Sequence, residues 1–487
     1  MACTTLLVGK KASYDNSTIV TRSEDSPSGE YTAKRFIVVE PKDQPKRYKS
    51  VISECEFDLP DNPLRYTAHP NSDPVEGIWG CNGTNSKNIS MTATETITTN
   101  PRVLGADPLL INNKDKKEGG LGEEDYVTVV LPYISSAREG VERLGKLLEE
   151  HGTYESNGIA FQDEDEIWWL ETIGGHHWMA SRVPDDCYVV MPNQLGIDYF
   201  DFEDAYGKKE NFMCCEDLKE WTEEHHLNLN KDDDFNPRFA YGSGEDSDRV
   251  YNTPRAWGML RHFNPRSFVW DGVDADFTPE DLDLPWAMAP ERKITIEDMK
   301  YVLSYYYQGT EFSSYGKGEK RGKYRPIGIN RNNVTVFTQI RPYIGEGNKV
   351  VEWHALGSNA FNSAVALYAN VRTTPKYFAD DSNTVTTNNF YWTNRLIGAL
   401  VDAHYSEAIV EVERYNQKIM AKSHEMLIKT DREVKEKDLK GDALHEALEK
   451  ANQDISDFTE AETNKLLDRV LYIASNNMKN AFSRSDN

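Results

Sequence analysis

Short runs of apolar and β-branched residues, separated by polar turns, dominate the first two hundred positions of the chain. Such runs are typical of strands. The first two, at residues 4–9 and 17–22, flank a polar turn at residues 10–16 and predict an antiparallel hairpin. Further strands are predicted at residues 36–39, 78–81, 89–94, 158–161, 167–172, 177–183 and 188–191, the last four as an antiparallel meander.

In other parts of the chain, apolar residues recur at helical spacing. The acids Glu123, Glu124 and Asp125 follow a glycine-rich stretch and are suited to the first turn of a helix. A second helix is predicted at residues 294–307, followed by strands at 333–340 and 350–354. From residue 396 to residue 487 apolar stripes recur at helical spacing. We expect this helical segment to pack on the core or to form a subunit interface, so a homo-oligomer is possible.

Composition and charge narrow the classes of partner. The chain has 487 residues, 38% hydrophobic and 11% aromatic, which indicates a globular protein. Its net charge of −25 repels nucleic acid and anionic lipid, so we expect neither as a partner. No run approaches the ~18 apolar residues that a membrane span needs. The first residues lack the order of a signal peptide, and the six cysteines are expected to be reduced in a cytoplasmic protein.

Cys3, directly before the first predicted strand, is the strongest candidate for chemistry. An N-terminal nucleophile attacks with its side chain while its free α-amine, with a pKa near ~8, accepts the proton. This role requires removal of Met1 and Ala2, by self-cleavage or by another enzyme. The alternative is a small buried residue that only packs at the start of a strand.

The predicted hairpin returns Arg22 to the neighbourhood of Cys3, with Asp25 three residues later. A guanidinium beside a thiol lowers the pKa of that thiol and holds an anionic intermediate. A carboxylate there could hold the α-ammonium group. Alone, an arginine and an aspartate after a strand are ordinary surface residues.

Several segments resemble the PepD-like cysteine dipeptidases, which are N-terminal-nucleophile hydrolases related to choloylglycine hydrolases and penicillin V acylases. The chain begins Met-Ala-Cys-Thr-Thr-Leu-Leu-Val-Gly-Lys-Lys and continues with Arg-Ser-Glu-Asp at residues 22–25. Further matching segments are Ala-Thr-Glu-Thr at 93–96, Arg-Val-Leu-Gly-Ala-Asp-Pro at 102–108, Trp-Trp-Leu-Glu-Thr-Ile-Gly-Gly-His-His-Trp at 168–178 and Tyr-Asn-Thr-Pro-Arg-Ala-Trp at 251–257. The resemblance spans essentially the whole chain.

The resemblance implies an α+β fold, the four-layer αββα sandwich of two antiparallel sheets, with residues 3–395 as the catalytic domain. It places the nucleophile on Cys3 and the supporting pair on Arg22 and Asp25. It also assigns Asn85 as an oxyanion donor, Asn193 as a second site asparagine and Arg255 as a supporting arginine. Asn82 and Asn88 lie near Asn85 and leave its alignment open.

The reaction implied is hydrolysis of dipeptides of broad specificity through a thioester, with no metal or organic cofactor. Two other functions stay open: an acylase of the choloylglycine-hydrolase type, and a non-catalytic binding or assembly protein of the same fold. His176 and His177 invite a metal interpretation, but adjacent strand residues point to opposite faces, so we expect neither to be a ligand.

Overall fold

Most of the strands lie in the first half of the chain, and the two longest helices lie near its end. The computed structural model describes residues 3–27, 30–93, 95–110, 119–231 and 235–480. The strands are β1 (Cys3–Val8), β2 (Thr18–Asp25), β3 (Ile37–Val39), β4 (Arg47–Lys49), β5 (Glu56–Asp58), β6 (Tyr66–Ala68), β7 (Asn82–Thr84), β8 (Ser90–Thr92), β9 (Glu95–Thr96), β10 (Asn157–Gln162), β11 (Ile167–Ile173), β12 (His177–Arg182), β13 (Tyr188–Met191), β14 (Phe212–Cys214), β15 (Ala287–Met288), β16 (Asn332–Ile340), β17 (Val350–Leu356) and β18 (Val365–Tyr368).

The α-helices are α1 (Pro101–Ala106), α2 (Tyr126–Val130), α3 (Ala137–His151), α4 (Phe202–Tyr206), α5 (Leu218–Glu224), α6 (Pro237–Tyr241), α7 (Asp248–Tyr251), α8 (Thr253–Phe263), α9 (Ile296–Leu303), α10 (Lys376–Ala379), α11 (Phe390–Ala403), α12 (Tyr405–Glu436) and α13 (Gly441–Asn476). Short 3₁₀ turns occur at Pro41–Asp43, Leu131–Tyr133 and Asn359–Phe361. Among these described helices, none combines the length and the apolar run that a bilayer crossing requires.

Two seven-stranded sheets hold most of the strands. In the first, the order is β15-β13-β1-β2-β16-β17-β18, so β1 lies inside the sheet with β13 on one side and β2 on the other. In the second, the order is β14-β12-β11-β10-β8-β7, with β9 also paired to β10. All pairings within the two sheets are antiparallel, which confirms a mixed fold with antiparallel sheets and helices.

Alternate residues of β1 enter two different hydrophobic cores, as the two-residue repeat of a strand requires. Leu6 and Val8 belong to the core that contains Trp257 of α8 and Met299 of α9. Leu7 belongs to the core that contains residues of β10 and β11 together with α2 and α3. The first sheet therefore meets helices through one face and the second sheet through the other.

Most of the predicted strands are confirmed, with small shifts at their ends. The structure corrects the strand predicted at residues 78–81. Trp79 and Cys81 there have positive φ angles of 52° and 59°, which no strand accommodates. The last strand of the predicted meander is also corrected. β13 does not belong to the second sheet but pairs with β1 of the first sheet, and Met191 lies opposite Thr5.

The helical predictions are confirmed more closely at the end of the chain than in its middle. The helix predicted at 294–307 is shorter, because a capping box of Thr295 and Asp298 starts it and Tyr307 has a positive φ angle. The helical segment predicted from residue 396 begins inside α11. Helices α12 and α13 contribute Ile419 and Leu448 to the core that also contains β18. Its role as a subunit interface stays a prediction.

Candidate active site

Cys3 opens β1 and is completely buried. In the register of the sheet it lies opposite Glu24 of β2, while Thr5 lies opposite both Arg22 of β2 and Met191 of β13. Continuing the β1–β13 register by two residues brings Asn193 opposite Cys3. The backbone N–H of Cys3 donates to the Asn193 side-chain oxygen Oδ1 at 3.1 Å. Strand pairing therefore fixes the position of this cysteine from both sides.

Arg22 reaches the thiol. Because Cys3, Thr5, Arg22 and Glu24 occupy directly paired positions, their side chains share one face of the sheet. The Nη2 atom of Arg22 lies 3.3 Å from the Cys3 Sγ atom. This contact confirms the geometric prediction that the hairpin returns Arg22 to Cys3. The catalytic role of the pair stays a prediction.

Buried charges surround this pair. Arg22 forms ion pairs with Glu123 and, at 3.4 Å, with Glu24, and the Glu24 carboxylate is held in turn by Lys34 at 2.7 Å. Glu95 accepts a hydrogen bond from the hydroxyl of Thr5 at 2.9 Å. We call Arg22, Glu24, Lys34, Glu95 and Glu123 the thiol-side cluster. Arg22 thus contacts both the Cys3 sulfur and the carboxylates of Glu24 and Glu123.

Burial and the charges of the thiol-side cluster together set the pKa values of Cys3, Glu95 and Glu123. Burial raises the pKa of the Cys3 thiol well above its usual value; Arg22 acts against this, whereas Glu123 and Glu95 add to it. Burial also raises the pKa of Glu123 to about 7 and that of Glu95 to about 8, while nearby arginines lower both. In this form of the chain the thiol is therefore held neutral, and it needs a nearby base to react as a thiolate.

Asp25 does not join the thiol-side cluster. It stands three residues after Arg22, an odd offset that places its side chain on the opposite face of β2. There it forms an ion pair with Arg325 and accepts a hydrogen bond from Asn332 Nδ2 at 3.0 Å. Among the described hydrogen bonds, none joins the Asp25 carboxylate to Cys3. The expectation that Asp25 holds the amine of Cys3 directly is therefore not supported by these contacts.

Asn193 and Arg255 do meet Cys3. The Asn193 Oδ1 atom, which accepts from the Cys3 N–H, also accepts from Arg255 Nη2 at 2.7 Å. Arg255 Nη1 donates to the backbone carbonyl of Cys3 and, at 2.7 Å, to the hydroxyl of Thr4. Burial and the neighbouring Arg325 lower the pKa of Arg255 to about 9, whereas Glu95 and Asp25 act in the opposite direction. Both predicted residues thus hold the backbone of the cysteine rather than its sulfur.

Asn85 lies elsewhere. It follows β7 in the turn to β8, and its Nδ2 group donates to the carbonyl oxygens of Leu131 and Ile134, each at 2.9 Å. Its Oδ1 accepts from the backbone N–H groups of Lys87 and Ile89. All its hydrogen-bonding capacity is thus spent on fixing a turn. The structure does not bring Asn85 together with Cys3, and the oxyanion role predicted for it has no support from these contacts.

Sequence reasoning missed several charged groups of the site, among them Glu123, Arg325 and Glu95. Glu123 was expected to begin a helix, but it precedes α2 and pairs with Arg22. Arg325 lies in a long irregular segment with no local pattern, and only its pairing with Asp25 marks it. Glu95 stands in one of the segments that carry the family resemblance, which was the available signal.

A cavity of about 250 Å³ lies beside the site. Asn193 and Arg255, which touch the Cys3 backbone, form part of its wall, and the other charged groups lining it are Glu245, Asp248 and Arg325. This volume is below the ~300–1,000 Å³ typical of drug-sized ligands and suits a small polar molecule. Cavities of about 1040 and 430 Å³ elsewhere include none of the predicted site residues.

The two adjacent histidines share one carboxylate. His176 Nδ1 and His177 Nδ1 lie 2.9 and 2.7 Å from the two oxygens of Asp107. The expectation that they point apart is wrong, because His176 belongs to the turn before β12 and only His177 lies in the strand. Their common partner is a carboxylate.

Comparison with known proteins defines the class of this molecule, which is a cysteine-type peptidase. The chain belongs to peptidase family C69, which matches it over residues 2–418. A dipeptidase of Bifidobacterium longum is 52% identical to it over the full length of both chains. A probable dipeptidase A of Streptococcus pyogenes is 51% identical over the full lengths, and dipeptidase A of Lactobacillus helveticus is 45% identical over 96% of each chain. The resemblance to the PepD-like cysteine dipeptidases is therefore confirmed.

Proposed function

We propose that this peptidase hydrolyses dipeptides and that Cys3, released as the first residue of the mature chain, is its nucleophile. The observation that carries the proposal is the pair of contacts on Cys3. Arg22 approaches the sulfur at 3.3 Å, and Asn193 accepts from the backbone nitrogen at 3.1 Å. A nitrogen in that position becomes the α-amine once the preceding bond is cut, and it stays next to its own thiol.

The reaction proceeds in two halves. The thiol proton passes to the α-amine of Cys3, the sulfur attacks the peptide carbonyl, and the resulting ammonium returns the proton to the leaving nitrogen as the C–N bond breaks. A thioester of the first substrate residue remains. Water then gives a proton to the amine and attacks the thioester, and the C–S bond breaks to restore the thiol. The positive charge of Arg22 stabilises the sulfur when it is a thiolate, before attack on the peptide and as the C–S bond breaks.

Processing before Cys3 is part of the proposal. As long as Cys3 is preceded by another residue, its nitrogen is an amide that cannot accept a proton. The raised pKa of the thiol then leaves the group inactive. Removal of Met1 and Ala2 supplies a base of pKa near ~8 at the place where the thiol needs one.

The cavity beside the site favours a small zwitterion. A dipeptide carries one ammonium and one carboxylate close together, and the cavity wall offers charges of both signs, Glu245 and Asp248 against Arg255 and Arg325. The relatives from Bifidobacterium longum and Lactobacillus helveticus are named dipeptidases. Broad specificity is consistent with recognition of the two charged ends rather than of the side chains.

The four-layer αββα sandwich of the N-terminal-nucleophile hydrolases is the arrangement we infer for residues 3–395. The division of β1 between a helical core and an inter-sheet core supports it. We infer a cytoplasmic location for the protein from its six cysteines, which are all free thiols and suit a reducing compartment.

The test is a substrate panel combined with determination of the mature N terminus. Dipeptides, tripeptides, a bile-salt amide and penicillin V are offered to the purified protein, and the intact mass of the active chain is measured. We expect cleavage of dipeptides by a chain that begins at Cys3. Activity confined to the bile-salt amide or penicillin V would assign the protein to the acylases instead. Dipeptidase activity in a chain that retains Met1 would refute the role of the amine.

A further inference from the structure

A second group of buried polar residues lies apart from the contacts of Cys3. His69 directly follows β6, while Glu352 and His354 stand two residues apart on β17 and so share a face. All three side chains are fully buried. One ligand atom from each lies within 4.8 Å of the others. These are a nitrogen, a nitrogen and a carboxylate oxygen, the donor set that zinc accepts in proteins.

The Glu352 carboxylate is only half satisfied. Its Oε1 atom accepts hydrogen bonds from the hydroxyls of Thr67 at 2.9 Å and Thr84 at 2.7 Å. Its Oε2 atom is buried without a hydrogen-bond partner, and no lysine or arginine in the described parts of the chain pairs with it. An isolated buried carboxylate is costly unless it is protonated or meets a cation.

The two imidazoles face each other. His69 Nε2 lies 2.8 Å from His354 Nδ1, and His69 Nδ1 lies 3.4 Å from the carbonyl oxygen of Asn82. When the Nδ1–H of His69 points to this carbonyl, its Nε2 carries the lone pair and directs it at His354. Phe36 stacks on His69 with ring centroids 5.1 Å apart and lies against His354 at 4.3 Å. The surroundings are therefore apolar on that side.

We propose that His69, Glu352 and His354 bind a structural divalent ion of the zinc class. The ion would be coordinated by His69 Nε2, the facing Nδ1 of His354 and Glu352 Oε2, with a water molecule as the fourth ligand. Metal–nitrogen bonds of about 2.0–2.1 Å in a tetrahedral site put the two nitrogens about 3.3 Å apart, so facing nitrogens at 2.8 Å need to separate by only about 0.5 Å.

Hydrogen bonds around the three residues already orient them as a metal site requires. Thr67 and Thr84 occupy one oxygen of the carboxylate and leave the other without a hydrogen-bond partner, and the Asn82 carbonyl contacts one nitrogen of His69. Such outer contacts set ligand orientation in metal proteins. Imidazole ligands favour zinc and its neighbours over magnesium and calcium, which prefer oxygen ligands alone.

The ion would connect parts of the fold that backbone pairing leaves separate. Glu352 and His354 belong to the first seven-stranded sheet, while His69 follows β6 of a small two-stranded sheet and Thr84 belongs to the second large sheet. Since none of the three ligands hydrogen-bonds to Cys3, Arg22, Asn193 or Arg255 among the described contacts, the ion would stabilise the fold and take no part in hydrolysis. A site closed on all sides is filled during folding.

The first experiment measures metal in the full-length protein, purified without a metal-affinity resin and dialysed against a chelator to strip exposed sites. We expect about one zinc per chain by elemental analysis, and a loss of that zinc in Glu352→Gln. The chain offers a matched control in His177, Cys215 and Asp217, whose donor atoms are also close together. Cys215→Ser should keep the metal. Loss in Cys215→Ser with retention in Glu352→Gln would overturn the assignment.

A second measurement needs no variant. The protein is unfolded in urea with a chelator and refolded with zinc, with cobalt, or with chelator alone. We expect a higher melting temperature with either metal and visible absorption bands of tetrahedral cobalt. Refolded protein that binds no zinc, shows no cobalt bands and melts at one temperature in all three cases would refute the proposal. Dipeptidase assays are not needed for either readout.

Discussion

The groups on the two faces of the sheet make different kinds of contact with Cys3. On the face of its side chain, Arg22, Glu95 and Glu123 act on the pKa of the thiol, and Glu24 pairs with Arg22. Arg255 instead binds backbone and hydroxyl groups of residues 3 and 4. The groups on the side-chain face thus affect how readily the thiol ionises, while Arg255 holds the backbone of Cys3 in position. Substitutions on the two faces should therefore produce distinguishable defects.

Removing the sulfur gives the largest expected effect. Cys3→Ala should lower kcat/KM for dipeptides by more than about 1,000-fold, because no other group replaces an attacking nucleophile. The matched control is Cys55→Ala, since Cys55 is also a buried, reduced cysteine and its described hydrogen bonds go to Ser50 and Ser53. Equal activity in the two variants would show that Cys3 only packs.

Breaking the ion pair on the opposite face should cost folding stability. Arg325→Met leaves the buried Asp25 carboxylate without its ion-pair partner, which we expect to lower the free energy of unfolding by about 3–5 kcal/mol. The double variant Asp25→Asn with Arg325→Met removes both charges and should recover part of this loss. Urea unfolding measures each value. A single variant as stable as the parent would mean that the pair is not formed in solution.

Substituting Arg22 should change the pH dependence of the reaction. Arg22 lowers the pKa of the Cys3 thiol, so in Arg22→Gln that pKa rises and the ascending limb of the kcat/KM profile moves to higher pH. At neutral pH the rate should fall by about 10- to 100-fold, the value of one charge-assisted contact. Arg255→Lys is the comparison from the other face: its rate should fall without movement of the limb. If the ascending limb moved to higher pH in both Arg22→Gln and Arg255→Lys, the proposed difference between the two faces would be wrong.

Asn85 lies on neither face of the sheet at Cys3, and its substitution is the next test. In Asn85→Ala the carbonyls of Leu131 and Ile134 lose their donor, which should lower the unfolding free energy by about 1–3 kcal/mol. Its kcat should stay close to that of the parent. Asn193→Ala, which removes the acceptor for the Cys3 nitrogen, should instead lower kcat. If Asn85→Ala reduced kcat as strongly, the oxyanion role predicted from the sequence would be restored.

The buried acid Glu95 should make the folding stability depend on pH. Its pKa in the folded chain is about 8, above the value near ~4.3 of an unfolded glutamate, so the folded state holds the proton more tightly. The resulting stabilisation is complete below about pH 4 and is lost as the pH rises towards 8. Glu95→Gln should flatten the pH dependence of the urea midpoint across this window. The exposed Glu413→Gln is the control and should leave the slope unchanged.

The sequence allowed the hairpin to be predicted almost to the residue, because alternation and a polar turn are local signals. The same reasoning placed Arg22 near Cys3, since register follows from the turn. It failed for β13, whose partner β1 lies far away in the chain, and for residues 78–81, where positive φ angles leave no trace in the hydrophobic pattern. Glu123 and Arg325 were missed because buried ion pairs between distant segments have no periodicity.

Asn193 opposite Cys3 has a consequence for how the protein could be switched on. Its side chain holds the cysteine nitrogen by one hydrogen bond, and Arg255 holds the carbonyl oxygen of the same residue. Under the proposed mechanism the unprocessed chain is a zymogen whose scaffold is already complete. A single proteolytic cut then converts an amide into a base, and latency ends without refolding.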